Sequence, residues 1–573
     1  MSTFERTDLL PVPCREKECR TICGERFIYA IVYSIGVQFA LLIVFLLLVN
    51  VSLLHPIGWM LNSLKLLCSI STWLYTMPLI SAIILYGIVL AKSYFAGAEC
   101  PATRFQQLLR SITHKTALLT VNSAIGFLTA WLYTRFLRED YSMLFQANKN
   151  GTYILNEKYL FLLLGGTVAG VYYFLKNRFD KSRVHFPVIQ QARYLQIRAQ
   201  LYSILYRSLF QSFVPTMLYI SFFYIFSCIY LRYKLANLFD GVSLSDESSL
   251  GSFWSIVFDV RVMLFCWILF SHILSNMKLM QMMICLFLTE YKEFPLEKST
   301  EVYLVEALGC KQFPIIQQLA ALNLFSIAEE CDPTRRNQLY ALSIPGGHAY
   351  NWNSVSNECI RLIREFSMEL CKSVQDAKPK VSPEVAKLRP TASMEAEKLV
   401  AKQYNESFGI RSLSNAVSGS VEASKPQTGG IHQTVDRQLN SLFRSIPGYR
   451  YFFEKVKPQS CILESDQLQQ IVWISQALAS LAAHSITEDK FGVVQKNLPI
   501  ILKTLLQLKA AVDRVSSIQL DVKRIDRNYL ALKAATKRSL YRITHAFADY
   551  LADLRLDPHD LDILQGFVNY MEV

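Results

Sequence analysis

FIYAIVYSIGVQFALLIVFLLLVNVSLL, from Phe27 to Leu54, carries no Asp, Glu, Lys or Arg. It outlasts the roughly 20 apolar residues that a helix needs to cross the hydrocarbon core of a bilayer. A cleaved signal peptide has a shorter apolar core and a small-residue cleavage site, so the run reads as a signal anchor kept in the mature protein. Lipid offers backbone N–H and C=O groups no partners, so such a segment crosses as a helix that satisfies them internally. Five further runs have the same character: Ser69–Ala91, Ala117–Leu137, Tyr159–Leu175, Phe210–Leu231 and Phe253–Met277. Six crossings are therefore expected.

Composition agrees. Of 573 residues, 52% are hydrophobic and only 18% charged, against about 25% charged in ordinary soluble chains. The deficit is confined to the first half; from Glu290 onward the apolar runs shorten and helical periodicity with breaks takes over. Many of the 29 Tyr and 35 Phe lie near the ends of apolar runs, where aromatic belts form. The expected class is all-α, a polytopic membrane bundle followed by a cytosolic helical domain. The divisions are 1–26, a cytosolic N-terminal segment; 27–289, the six-helix membrane domain; 290–375, the first part of the helical domain; 376–435, a linker; and 436–573, the second part. The linker holds Pro379, Pro383, Pro390 and Pro426 and few aromatics, too little apolar surface to offset chain entropy.

The net charge of +13 takes its meaning from its placement. The N-terminal segment, the loop with Lys92, Arg104, Arg110 and Lys115, and the loop with Lys176, Arg178, Lys181, Arg183, Arg193, Arg198 and Arg207 form the more basic set, which is the cytosolic side. Both termini then lie in the cytosol. The sequon Asn150-Gly151-Thr152 falls in a loop assigned to the lumen, with Asn150 as a glycosylation acceptor. Between Gln191 and Phe210, apolar residues at helical spacing accompany Arg193, Arg198 and Arg207; this is either a membrane-surface helix or an extension of the fifth crossing. Gly166 and Gly170 in the fourth crossing fit a close helix–helix contact.

Charged residues within spans mark ion or substrate paths by default. Asp259 and Arg261 are near one end of the sixth crossing, where pairing or snorkelling accounts for them, and no other crossing carries a central Asp, Glu, Lys or Arg. The thirteen cysteines form no disulfide framework, and Cys14, Cys19 and Cys23 lack the further ligands of a zinc site. No phosphate-binding glycine loop, nucleophile elbow or HExxH pattern occurs, so neither an enzyme nor a cofactor is expected.

The helical half contains two distinctive turns. Pro345, Gly346, Gly347 and His348 precede Trp352, and Thr487-Glu488-Asp489-Lys490-Phe491-Gly492 separates two apolar stripes. The first reads as a tight turn anchored by Trp352. In the second, Thr487 is expected to cap the following helix and Phe491 to support the turn. Both turns are candidates for partner binding.

These residues carry a resemblance. His55-Pro56-Ile57-x-Trp59, Phe186-Pro187-Val188-Ile189-Gln190-Gln191, Leu342-Ser343-x-Pro345-Gly346-Gly347-His348-x-x-Asn351-Trp352, Glu358-Cys359, Thr487 through Gln495 with Leu498-Pro499, and Ser539 through Thr544 occur in the order found in the pore-membrane nucleoporins of the nuclear division cycle (Ndc) family. The chain resembles an insect-like member, its linker being shorter than in vertebrate members. The resemblance implies a transmembrane nucleoporin of the nuclear envelope. Such a protein anchors the pore scaffold at the pore membrane, supports pore assembly, and so serves mRNA and protein transport. It implies as partners the aladin β-propeller nucleoporin, RNA-recognition-fold scaffold nucleoporins, inner-ring nucleoporins and nuclear envelope lipids, and it is compatible with a homo-oligomer; no direct nucleic-acid contact is expected. A multi-pass transporter or membrane-embedded enzyme is the competing reading, and it requires polar groups converging at mid-membrane.

Overall fold

The computed structural model describes residues 15–49, 56–95, 104–137, 145–147, 153–179, 186, 191–226, 242–243, 259–298, 301–330, 333–342, 347–377, 467–516 and 523–569. The expected linker and Asn150 lie outside the described residues, except that 376–377 close a helix.

The membrane half contains α1 (Glu16–Val49), α2 (Pro56–Cys68), α3 (Ile70–Phe95), α4 (Arg104–Thr134), α5 (Glu157–Phe179), α6 (Arg193–Phe226) and α7 (Val260–Leu288). α1 buries Cys19, Cys23, Phe27, Ala30, Ser34, Gln38, Leu41, Leu42 and Phe45, a stripe at helical spacing, while Ile28, Tyr29, Val32 and Val44 face outward. Large apolar side chains on the outside of a long apolar helix are the mark of a lipid-facing surface.

Five of the described helices are long and apolar enough to cross a membrane: Glu16–Leu47, Ile70–Ala91, Lys115–Thr134, Glu157–Asn177 and Val260–Leu288. The expected fifth crossing runs on α6, whose described part stops at Phe226; the rest, to Leu231, is outside the described residues. Two boundaries differ from expectation. α1 begins at Glu16, so most of the N-terminal segment's second half is already helix. The last helix is displaced toward the C-terminus, because Asp259 caps its start and the apolar run from Leu279 to Leu288 continues it past Met277. α2 was not expected as a helix. Its Trp59 indole donates to the Leu47 carbonyl at 3.0 Å and ties it to α1.

The all-α class holds, with one small addition. β1 (Phe145–Ala147) pairs antiparallel with β2 (Tyr153–Leu155), which pairs parallel with β3 (Val242–Ser243). Short strands escape an alternation search because two or three residues hold no period.

The helical domain contains α8 (Leu304–Gly309), α9 (Pro314–Glu329), α10 (Thr334–Tyr340), α11 (Tyr350–Ala377), α12 (Gln467–Glu488), α13 (Val493–Ser516), α14 (Lys523–Ala546), a 3-10 turn (Ala548–Asp553) and α15 (Pro558–Val568). α9 and α12 are buried almost all round, from Ile315 to Ala328 and from Leu468 to Ala482. They pack on each other in the middle of the domain. α11, α13 and α14 are amphipathic and pack around α12. The two parts that the linker separates in sequence thus share one core.

Candidate functional site: the anchor joint and the turn corner

The joint between membrane bundle and helical domain is built by cations from the membrane half. Arg26 on α1 donates to the last carbonyls of α7, Phe287 at 3.5 Å and Leu288 at 3.3 Å, and to Glu290 at 2.6 Å. Those carbonyls have no intrahelical partner and carry the negative end of the helix dipole, so a guanidinium satisfies both needs. Arg193, at the start of α6, pairs with the Glu290 carboxylate, and Arg15 pairs with Glu306 at 3.4 Å. Phe186, in the basic loop before α6, packs edge-on against Trp473 of α12 at 5.6 Å. The N-terminal end of α1, the loop at Phe186 and the start of α6 therefore share one end of the bundle with the helical domain. At the other end Lys158 bonds Asp259 at 2.7 Å, so Asp259 is paired, and its other oxygen accepts from the Arg261 amide.

Arg193, Arg198 and Arg207 are all on α6, which runs unbroken from Arg193 into the expected crossing. The backbone follows the extension reading: Gln191–Phe210 is not a separate helix. Arg198 and Arg207 are exposed.

The two distinctive turns come together at one corner of the helical domain. Pro345 and Gly346 are outside the described residues; Gly347 and His348 are exposed. Trp352 is wholly buried with its ring 5.8 Å from that of Tyr340, and the Tyr340 hydroxyl donates to the Leu481 carbonyl of α12 at 2.8 Å. Burial also pushes the Tyr340 phenol well above its ordinary pKa. Arg336, almost fully buried, bonds Glu488 at 2.8 and 2.9 Å, and Asn497 of α13 donates to Asn353 and Ser356 of α11, each at 3.3 Å.

The second turn corrects two expectations. Thr487 does not cap α13; it lies in the last turn of α12, where its hydroxyl donates to His484 O at 3.1 Å. Asp489 is the cap, accepting from Phe491 N at 3.1 Å and Val494 N at 2.9 Å. Gly492, at φ +62°, makes the reversal that a Cβ would strain. Nor does Phe491 support the turn by burial, being 59% exposed.

Inside the bundle, Gly166 and Gly170 make the close contact expected of them, with Gly126 and Asn122 of α4. A Cβ built on Gly170 would stand 2.2 Å from Asn122 O, and one on Gly166 would stand 2.5 Å from Gly126 O. The competing transporter reading asked for polar groups at mid-membrane, and the sequence reading, limited to acids and bases, passed over His272. It is half-buried, with its ring 4.4 Å from Tyr133 and 5.9 Å from Phe45. The cavity beside this group, lined by Gln38, Thr76 and Tyr133 among others, measures about 10 Å³, room for one water and no substrate. Among the described residues no three His, Cys, Asp or Glu are grouped to hold a metal; Cys19 and Cys23 are buried in helix packing, and Cys14 is outside the described residues. Lys176 and Lys278, which meet on Gln211, were also missed as a site; a lysine in the Met-rich run after Asn276 was the available signal.

Comparison with known proteins bears on this architecture. The family profile described as "Nucleoporin protein Ndc1-Nup" matches residues 21–565. The chain is 32% identical to Nucleoporin Ndc1 of Drosophila pseudoobscura pseudoobscura and 30% identical to that of Drosophila melanogaster, in each case over 96% of this chain and 98% of the relative. It is 24% identical to human Nucleoporin NDC1 over 96% of this chain and 97% of that protein.

Proposed function

The chain belongs to the Ndc1-Nup family of nucleoporins and is a transmembrane nucleoporin of the nuclear pore complex; from that premise we propose that it anchors the soluble pore scaffold to the pore membrane and supports pore assembly in the nuclear envelope. The observation that carries this is the joint described above. Arg26 grips the end of α7 where the chain leaves the bundle, so a pull on the helical domain is transmitted to several membrane helices and not to one tether. The helical domain supplies the docking surface, with the corner formed by Gly347, His348, Asp489, Phe491 and Gly492 as the contact for partner segments and Trp352 beneath it. Pro345, Gly346, Thr487 and Glu488 belong to the same two motifs. The partners are other nucleoporins: the aladin β-propeller protein, the RNA-recognition-fold scaffold proteins and inner-ring proteins. The protein works as a structural component, not as an enzyme.

Six crossings, with both termini on the cytosolic and pore side and Asn150 in the lumen, complete the reading. The shared end of Arg26, Phe186, Arg193 and the helical domain supports it, because these are the basic segments. On this reading Arg207 lies at the cytosolic membrane surface, and Arg198 and Arg193 stand about 14 and 21 Å beyond it along α6. Membership of a nucleoporin family disfavours the transport reading.

A chain tagged at its own locus is expected at the nuclear rim in puncta that coincide with scaffold nucleoporins, and its depletion should lower scaffold density there. Uniform endoplasmic reticulum signal, or scaffold density unchanged on depletion, refutes anchoring. For topology, endoglycosidase should shift the mobility of the chain but not of N150Q; a reporter sequon in the same loop that is never glycosylated overturns the orientation.

A further inference from the structure

At 1.5 Å per residue, Lys176 and Lys278 stand about 27 Å along α5 and α7 from the Lys158–Asp259 pair. That is close to the ~30 Å thickness of the hydrocarbon core, so both lie level with the opposite headgroup region. There the two ammonium groups converge on a single neutral acceptor: the Gln211 side-chain oxygen of α6 takes a hydrogen bond from Lys176 at 2.7 Å and from Lys278 at 2.6 Å. Arg207, one turn earlier on α6, is near enough to act on the Lys278 charge, as is Lys176. At the opposite membrane boundary Lys158 has the Asp259 carboxylate, and at the joint with the helical domain Arg193 has Glu290 and Arg26 has three carbonyls. Among the described residues no carboxylate is within ion-pair distance of Lys176, Arg207 or Lys278.

The surroundings belong to a membrane interface. Tyr202, Tyr206 and Phe210 project from α6 in a stacked row, with centroids 6.4 and 4.8 Å apart, and Lys176 lies over the Tyr172 ring at 5.9 Å. Aromatic rows of this kind sit at headgroup level. Three like charges from three helices, held open to that level with no acid paired to them among the described residues, are the donor set for a phosphate oxygen.

We propose that Lys176 and Lys278, joined at Gln211, and Arg207, one turn before it on α6, form a binding site for the phosphate of an anionic lipid headgroup between α5, α6 and α7. The site rests on these helices crossing the bilayer and is independent of partner docking. A bound lipid phosphate would neutralise the repulsion among the three cations and bind the α5, α6 and α7 surfaces together.

The full-length chain in detergent is examined by native mass spectrometry with added phosphatidic acid, phosphatidylcholine, or inorganic phosphate. Phosphatidic acid should be retained about tenfold over phosphatidylcholine, and each cation removed should cost about fivefold in retention. R207Q, at an exposed position, and K176Q/K278Q are the test variants; R261Q, an exposed cation at the other membrane boundary, should bind as the parent does. Because K176Q/K278Q touches helix packing, R207Q alone keeps the test valid if the double variant fails to fold. Equal retention of phosphatidic acid by parent and R207Q overturns the site. Inorganic phosphate competing as well as the lipid overturns the lipid assignment in favour of a free anion, and anchoring at the pore can fail without affecting either result.

Discussion

Trp352 and Phe491 mark the two motifs most distinctive in sequence, and the fold treats them oppositely. Trp352 has no exposed surface, while Phe491 leaves more than half of its surface in solvent. W352A should therefore cost about 3–5 kcal/mol in chemical denaturation of the purified chain, whereas F491A should change stability by less than about 0.5 kcal/mol. If the corner docks scaffold segments, F491A should instead weaken capture of a scaffold nucleoporin at unchanged melting temperature. The caps divide in the same manner. D489A removes the acceptor of two backbone N–H groups and should cost about 1 kcal/mol. T487A removes only a hydroxyl bonded back to its own helix and should be nearly neutral. Paired melting curves of the two variants separate the observed cap from the one expected by spacing.

At the scale of elements, α4 and α5 are held by backbone approaching backbone at Gly126, Gly166 and Gly170. In lipid no hydrophobic gain drives helices together, so close van der Waals contact does. G170V must displace the Asn122 carbonyl, which cannot swing away as a side chain can. The expected result is a fall in melting temperature in detergent and easier proteolysis of the bundle. G24V, at a glycine with open space around it, should show neither effect. α9 and α12 make the corresponding point in water: buried almost all round, they lie against each other in the middle of the domain, a pairing that spacing along the chain does not give.

For the whole molecule, the two parts of the helical domain meet through ion pairs that cross the linker, Arg336 to Glu488 and Arg542 to Glu329. A protease site inserted within 376–435 and cut after folding should leave residues 436–573 bound to the membrane half. R336M, which strands Glu488 in a nearly buried position, should cost about 3–5 kcal/mol and release the fragment. Acid should loosen the same contact. Burial works against the charge on Glu329, but the hydrogen bonds and charge of Arg542 outweigh it and hold the carboxyl below its ordinary 4.5. The unfolded chain then binds more protons than the folded one as pH falls. The stability from this pair is whole above about pH 5 and is lost as pH drops through the folded value. Melting temperature followed from pH 7 to about 3 should fall less steeply in E329Q than in the parent.

The membrane bundle, the start of the soluble half and the basic loops were legible in the amino-acid sequence because lipid imposes its rules locally. A run of apolar residues must be helical in hydrocarbon, and a lysine beside it fixes a side, whatever the rest of the chain does. Gly166 and Gly170 were legible for the same reason, though not their partner Gly126. The cap at Asp489, the exposure of Phe491, the start of α7 at Val260 and the meeting of Lys176 with Lys278 were not. Each depends on which groups, distant in sequence, compete for one hydrogen bond, one burial site or one patch of interface. Spacing along a chain names the candidates for such a contact, and only the packed helices decide which of them is made.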